Sequence, residues 1–333
     1  MKPKNYASAG VDVSRVKKIQ NEVNALIAST HGSDVLPVRG HYAGLLHFGN
    51  KILAIHTDGV GSKVLVAQAL GKYDTVGIDC VAMNVNDIIC VGARPLALVD
   101  YLALEREDEE LVRELMKGLV KGAKEAGVSI VGGETAIMPD VIKGIEGKTG
   151  FDLAATCVGE TTERALVTGE RMREGDVVIG LASTGIHSNG LTLARKILNL
   201  KDWGNELLTP TRIYVKPLLA MLRAVEVTGI AHITGGAFSK LRRIGARARR
   251  GFLLDNMPEP QEIFTEMKKT VRDEREMYRT FNMGIGMCIA VRKDDEGKAL
   301  ALCKKNRQEA RVIGKITKEE GVRIRLGARR ITF

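Results

Sequence analysis

The chain has 333 residues, 44% of them hydrophobic and 27% charged, with a formal net charge of +10. This is the composition of a folded, soluble protein and not of a disordered one, and the length exceeds what one ordinary core organises, so two domains are expected. No run of about 18 apolar residues would cross a membrane, and Met1 to Tyr6 carry no secretory apolar segment, so a cytoplasmic protein is expected.

In chain order, Val16, Ile19, Val23, Leu26 and Ile27 recur at helical spacing and predict a helix over 14–29. Leu45 to Phe48, then Gly49-Asn50, then Lys51 to Thr57 predict a β-hairpin with a glycine-first tight turn. Ile78, Val81, Val85 and Ile88 predict a helix over 76–91, and Pro95 forces a break before a strand over 96–100. Leu111, Leu115, Leu119 and Ala123 share one face of an amphipathic helix from about Glu109 to Ala126. Gly127 ends that helix before a short strand over 128–131. The polar, glycine-rich stretch 143–150 reads as a mobile loop. A charged stretch, 160–173, separates this half from a second β/α pattern: a strand over 177–182, helices over 191–200 and 218–227, and a strand over 284–291. The boundary is placed near residue 163, giving domains of residues 1–163 and 164–333. Cys80, Cys90, Cys157, Cys288 and Cys303 are scattered, without a Cys-x-x-Cys pair, and read as reduced core thiols.

Carboxylates stand inside several of the apolar segments. Asp58 closes the run Lys51 to Thr57, Asp79 and Asp87 interrupt Val76 to Val91, Asp100 follows Leu96-Ala97-Leu98-Val99, and Glu134 follows Ile130-Val131-Gly132-Gly133. Burying an unpaired carboxylate costs several kcal/mol, comparable to a domain's whole stability margin, so each needs a metal, a cation or dense hydrogen bonding. In Thr57-Asp58-Gly59-Val60-Gly61-Ser62-Lys63 the glycines permit close approach to a phosphate and Lys63 supplies a point charge, although taken alone the segment reads more readily as a plain turn followed by a surface lysine. Asn84 and Asp87 sit three apart on one helix face, a spacing that suits one cation. Gly132-Gly133-Glu134-Thr135 puts a carboxylate at a strand end, and an ordinary turn explains it as well. Ser183-Thr184-Gly185-Ile186-His187-Ser188-Asn189-Gly190 joins a strand to a helix, where free N–H groups and the helix dipole favour an anion. Ser188 or Asn189 there can equally cap the helix, and His187 can be structural. The glycine pairs in His232-Ile233-Thr234-Gly235-Gly236 and Asn282-Met283-Gly284-Ile285-Gly286 serve either ligand approach or tight packing.

Taken in order, these segments resemble the phosphoribosylformylglycinamidine cyclo-ligase (aminoimidazole ribonucleotide synthetase) family. The match runs through Tyr6 to Asp12, Asp58 to Lys63, Gly77 to Asp87, Gly92-Ala93-Arg94-Pro95, Gly132 to Ala136 and His187 to Gly190. It continues through Pro210 to Lys216 and Glu276 to Asn282, and so spans nearly the whole chain. The resemblance implies an α+β fold of two α/β-sandwich-like domains. The N-terminal domain would carry a mixed sheet that joins its counterpart across a homodimer interface, and the C-terminal domain a sheet with flanking helices. It implies use of ATP and Mg2+ to close formylglycinamidine ribonucleotide, an anionic nucleotide substrate, to 5-aminoimidazole ribonucleotide, in purine biosynthesis. Carried over, Asp58, Asp87 and Glu134 would hold magnesium, while Thr57, Asp58, Gly59, Lys63, Asp87, Gly92, Ala93, Pro95, Gly132, Gly133, Glu134 and Thr135 would seat the nucleotide. His187, Ser188, Asn189, Gly190, Thr234, Gly235 and Gly236 would contact the substrate, and His187, Asp58 and Lys63 would be catalytic. His187 would be either a general base or a stabiliser of the phosphorylated oxygen.

The chain departs from the family pattern at Gly40-His41-Tyr42-Ala43-Gly44, at Asn24, at Asp140, and at Ala237, which is followed by Lys240-Leu241-Arg242-Arg243. Two alternatives stand beside this reading. One is another ATP-dependent relative, such as the amidine-forming synthetase of the preceding step, against which the Glu276–Asn282 segment and the short chain argue. The other is a non-catalytic nucleotide- or nucleic-acid-binding module using the basic residues. Aromatic residues are 4% of the chain, without interleaving of aromatic and basic side chains, which disfavours a nucleic-acid platform.

Overall fold

The computed structural model describes all residues except Met1, Asp12, Arg39, Gly40 and Glu146, so Asp12 and Gly40 of the N-terminal motifs lie outside the described residues. Among the described residues, two mixed sheets organise the chain. The first contains β1 (Gly44–Phe48), β2 (Lys51–Gly59), β3 (Arg94–Leu104), β4 (Ser129–Ile137) and β5 (Phe151–Thr161), in the order β1-β2-β5-β3-β4. Its helices are α1 (Val13–Ala28), α2 (Lys63–Leu70), α3 (Asp74–Cys90) and α4 (Glu109–Ala126). The second contains β6 (Val177–Ala182), β7 (Val227–His232), β8 (Gly251–Leu254), β9 (Ile285–Val291), β10 (Ala310–Thr317), β11 (Gly321–Leu326) and β12 (Arg329–Thr332), in the order β12-β11-β8-β10-β6-β9-β7. With it go α5 (Leu191–Ile197), α6 (Leu200–Leu208), α7 (Val215–Ala224), α8 (Leu241–Ala248), α9 (Glu262–Lys268), α10 (Glu274–Thr280) and α11 (Glu296–Lys305). Each sheet mixes one parallel pair, β3 with β4 and β8 with β11, into antiparallel neighbours, so the fold is α+β.

Helix α4 shows how local sequence sets an element. The Asp108 carboxylate accepts from the Leu111 N–H at 3.1 Å, Glu109 and Glu110 sit at the positive end of the helix dipole, and Gly127 leaves it at φ 74°. Leu111, Leu115 and Leu119 are buried, each contributing about 1.5–3 kcal/mol of apolar transfer free energy. Their partner is α3, which is buried from Thr75 to Cys90 and lies between α4 and the first sheet. Gly77 and Gly118 let the two backbones touch, because a Cβ at Gly118 would drive into the Asp74 carbonyl. In the second domain α7 and α11 cover one face of the sheet. There Val177, Ile179, Leu181, Met287, Ile289 and Val291 pack with Leu218, Met221, Ala299 and Cys303. All five cysteines are buried and free.

The structure differs from the sequence expectations in several places. Strand β3 begins at Arg94 and carries Pro95 inside it, where a bulge between Pro95 and Ala97 absorbs the missing N–H. Strand β4 is longer than expected. The apolar stripe of α1 is exposed, with Leu26 74% accessible. The 143–150 loop is held at both ends, since the Gly144 and Gly150 N–H groups donate to the Glu105 carboxylate at 2.8 and 2.9 Å. The central strand β5 has little apolar–polar contrast in sequence, because Ala154 and Val158 stand on its outer side and Gly159 on its buried side.

Candidate active site

The buried helix α3 presents two carboxylates toward the second domain. Asp87, in its last turn, meets His232 at the end of β7, with Asp87 Oδ1 2.7 Å from His232 Nδ1. His56 Nε2 lies 3.5 Å from the other carboxylate oxygen. His56 and Asp58 occupy the inner face of β2 beside α3, following buried Ile52 and Ala54. Asn84 clamps that strand end, accepting from the Asp58 N–H at 3.1 Å and donating to the Asp58 carbonyl at 3.0 Å. Asn84 and Asp87 thus share a helix face, but Asn84 is committed to backbone.

Around Asp58 and Asp87 lies a cleft of about 280 Å³, lined also by His41, Tyr42, His56 and Thr57 and, from the second domain, Lys240, Arg243, Ile244 and Arg247. Its acids are unlike. Burial raises the Asp58 carboxyl above the usual range, and the neighbouring Asp87 charge adds to the rise. Burial acts the same way on Asp87, but the hydrogen bond and charge of His232, with help from Lys240 and His56, hold its carboxyl below the usual range. Burial also pushes His41 down, to about 4.

A second constellation adjoins the first through Asp79, one helical face away on α3. Asp79 Oδ1 accepts from the Thr211 N–H at 2.7 Å, from the Thr211 hydroxyl at 2.6 Å and from the Ser188 hydroxyl at 2.9 Å, while Oδ2 is 2.7 Å from Lys63 Nζ. Lys63 also donates to the Thr209 carbonyl at 2.7 Å. Asn86 donates to the Arg212 carbonyl at 2.8 Å and accepts from the Tyr214 N–H at 2.9 Å. The segment from Thr209 to Tyr214 is therefore the strap that ties the second domain to α3.

His187, in the 183–190 loop, is buried against this strap with φ 63°, a conformation unusual for a non-glycine residue. Its Nε2 accepts the Thr184 N–H at 3.2 Å and the Arg212 N–H at 3.4 Å, whereas Nδ1 has no partner among the described residues. Burial holds its pKa well below the ordinary histidine value, and the charges of His232, Lys63 and Arg212 act in the same direction, so the ring is neutral. The Asn189 amide nitrogen is likewise buried without a partner. Thr234 takes a short hydrogen bond from Lys240, and a Cβ on Gly235 would come 3.2 Å from Asn189 Oδ1. The 187–190 and 234–236 loops therefore meet.

Other residues singled out in the sequence lie elsewhere. Lys63 lines no part of the cleft, because its ammonium is fully buried against Asp79. Thr57 does border the cleft between His56 and Asp58, although its hydroxyl is turned to the outer face of the first sheet, 2.7 Å from that of Thr156. Gly92, Ala93 and Pro95 belong to the far end of β3, where Arg94 pairs with Glu160, five residues along β5 from the Ala155 that opposes Asp58. Gly132, Gly133, Glu134 and Thr135 lie in β4, separated from β2 by β5 and β3. Glu134 pairs with Tyr101 on the outer face, so a single chain does not bring it to Asp58 and Asp87. Among the described residues no group of three or more His, Cys, Asp and Glu is assembled to hold a metal. Conversely, sequence reasoning did not assign His56, His232 or Lys240 to the site. His56 carried a signal, two residues before Asp58 on one strand face. His232 and Lys240 stood in segments already singled out, but nothing along the chain linked them to Asp87, since only folding brings them there.

The family described as "AIR synthase related protein, N-terminal domain" matches residues 40–161, and "AIR synthase related protein, C-terminal domain" matches 173–327. Phosphoribosylformylglycinamidine cyclo-ligase of Methanocaldococcus jannaschii is 48% identical over 332 residues, covering 93% of this chain and 91% of the relative. The chain belongs to the phosphoribosylformylglycinamidine cyclo-ligase family. It is accordingly an enzyme of the ligase class. The cyclo-ligase of Pyrococcus furiosus is 46% identical, covering 95% of this chain and 96% of the relative. Among solved structures, the HypE–HypF complex superposes with a TM-score of 0.70 at 21% identity over 93% of this chain and 98% of that one. AaThiL complexed with AMPPCP and TMP gives a TM-score of 0.64 at 15% identity, covering 100% of this chain and 98% of that one. These likenesses establish a shared fold for the cyclo-ligase chain. Among the described residues no helix is long and apolar enough to cross a membrane.

Proposed function

We propose that the chain catalyses the ATP-dependent closure of formylglycinamidine ribonucleotide to 5-aminoimidazole ribonucleotide, with release of ADP and phosphate, in the cytoplasm. The observation that carries this reading is the cleft in which Asp58 and Asp87 face Lys240 and Arg243 across the domain junction, in a chain of this family. The donor set fits magnesium. Two hard carboxylates, with no third protein ligand among the described residues, suit a cation that completes its shell with water and phosphate oxygens. Asp58 and Asp87 would hold it, and the ion would offset charge on the transferred phosphoryl group.

In the reaction the formamide oxygen attacks the γ-phosphorus and ADP leaves. The amidine nitrogen then attacks the activated carbon, the carbon–oxygen bond breaks with departure of phosphate, and the nitrogen loses a proton. His232 holds Asp87 ionised and oriented throughout. Because His187 Nε2 accepts backbone N–H groups, its proton sits on Nδ1. His187 therefore donates one hydrogen bond to the substrate and is not the general base; Asn189 supplies a second donor from the same loop.

The chain acts as a homodimer through the outer face of the first sheet, where Ile55, Val99, Tyr101 and Val131 are exposed together on strands of one layer, Val131 to 67%. Sedimentation should give twice the 36.2 kDa chain mass. The decisive experiment incubates purified protein with ATP, Mg2+ and formylglycinamidine ribonucleotide and follows ADP and the aminoimidazole. Absence of substrate-dependent ADP from folded protein would overturn the proposal.

A further inference from the structure

The second domain contributes three cations to the cleft, and their commitments differ. Arg247 is paired with Glu170. Neither Lys240 nor Arg243 has a carboxylate within ion-pair distance among the described residues, although Asp58 and Asp87 line the same cleft. Lys240 ends the short helix Ala237–Lys240 that follows the Thr234-Gly235-Gly236 turn. Its aliphatic stem is packed with the ammonium 5.4 Å from the Tyr42 ring centroid, and the ammonium donates to Thr234 Oγ1. This is a fixed position. Lys240 is half-buried at the cleft wall, where partial loss of water without a paired carboxylate leaves its charge unmatched, unlike the direct pairing that satisfies Lys63. Asp58 and Asp87 supply only longer-range attraction, and Arg243 opposes it.

A placement of that kind suits a cation whose partner arrives with the ligand. We propose that Lys240, with Arg243 beside it, is the phosphate seat of this cleft, and that without a ligand Lys240 supplies the positive charge facing Asp58 and Asp87. The inference rests on reading the cleft as a magnesium-nucleotide site and adds the residues that take the anion. It carries a two-sided consequence. A phosphate group needs Lys240, whereas a free divalent cation competes with it for the field of the same two carboxylates. The phosphate chemistry is shared by the polyphosphate of ATP and the 5′-phosphate of a ribonucleotide, so both are probed.

The test compares wild type with Lys240→Met, which keeps the stem against Tyr42, and with Lys240→Arg, which restores the charge. Calorimetry with ATP in excess EDTA and with ribose 5-phosphate reads the anion site. Electron paramagnetic resonance of Mn2+ without nucleotide reads the cation site, and circular dichroism confirms folding. Lys240→Met should weaken one or both anions at least tenfold and tighten Mn2+ severalfold, and Lys240→Arg should recover anion binding to within about threefold. Loss for ATP alone assigns the seat to the polyphosphate, and loss for ribose 5-phosphate alone assigns it to the ribonucleotide. Arg325→Gln, the same charge change on β11, should leave both affinities unchanged. Anion affinity within twofold of wild type in folded Lys240→Met overturns the inference and leaves the nucleotide reading standing. If wild type binds neither ATP nor Mn2+, both fall.

Discussion

Replacing Asp79 with alanine should loosen the junction between the domains. The substitution strands the Lys63 ammonium, which is fully buried, and removes the acceptor for Thr211 N–H, Thr211 hydroxyl and Ser188 hydroxyl. Breaking one side of a buried pair costs about 3–5 kcal/mol, and each lost bond to a charged acceptor about 1.5 kcal/mol when taken singly. The terms overlap, because Thr211 and Ser188 can relax together, so a total of about 5 kcal/mol is expected. Against a typical margin of about 5–15 kcal/mol that is close to unfolding. Burial already pulls the Lys63 pKa below the ordinary lysine value, and the Asp79 charge and hydrogen bond oppose that fall. Without Asp79 the lysine should lose its proton, which limits the damage. Urea denaturation followed by circular dichroism and by the emission of Trp203, on α6 beside α2, measures the loss. The double substitution Lys63→Met with Asp79→Leu should recover more than half of it. A loss below about 1 kcal/mol for Asp79→Ala, or a double variant no better than the single one, would refute the argument.

Four further outcomes follow from the same geometry. Ala237 occupies the left-handed region at φ 39°, so Ala237→Gly should raise stability by about 1 kcal/mol, read as an upward shift in Tm. Gly118→Ala should lower it by about 2–3 kcal/mol, since the Asp74 carbonyl must move away; an unchanged Tm would show that α3 and α4 can separate freely. His187→Ala should lower kcat at least tenfold without shifting the pH profile of kcat/KM, whereas loss of a general base would remove its basic limb. Finally, stability should fall on acidification from about pH 6.5 toward 4. The unfolded chain takes up protons near 6.5 that His41 refuses until about 4 and His187 refuses further, which amounts to up to about 3 kcal/mol for His41 alone. Asp58, with its raised carboxyl, opposes that loss as the pH nears its own titration. A flat urea midpoint between pH 7 and 5 would contradict the assignment.

Elements with strong period were legible. The spans of α4 and β6 were read as they stand, because a leucine stripe with capping residues and a short apolar run with glycine or charge at its ends are local signals. The exposed stripe of α1 shows the reverse, a helical pattern that does not reveal what it packs against. Site legibility divides in the same way. Asp58 and Asp87 stood out as carboxylates in apolar runs. Glu134 stood out equally, yet strand order and pleat put it on the other face of the sheet, and no count along the chain reveals that.

Within single segments, then, the sequence determined the strongly periodic elements such as α4 and β6, the apolar setting of Asp79 and Asp87, and the family the chain belongs to. Those properties depend on neighbours a few residues away, where side-chain period and backbone geometry act. Tertiary structure alone decided that Lys63 serves Asp79, and that His232 and Lys240 face Asp87 from about 150 residues downstream. Electrostatic partnership in a low-dielectric interior is set by distances of a few ångströms. The packing of the second domain onto α3 creates those distances.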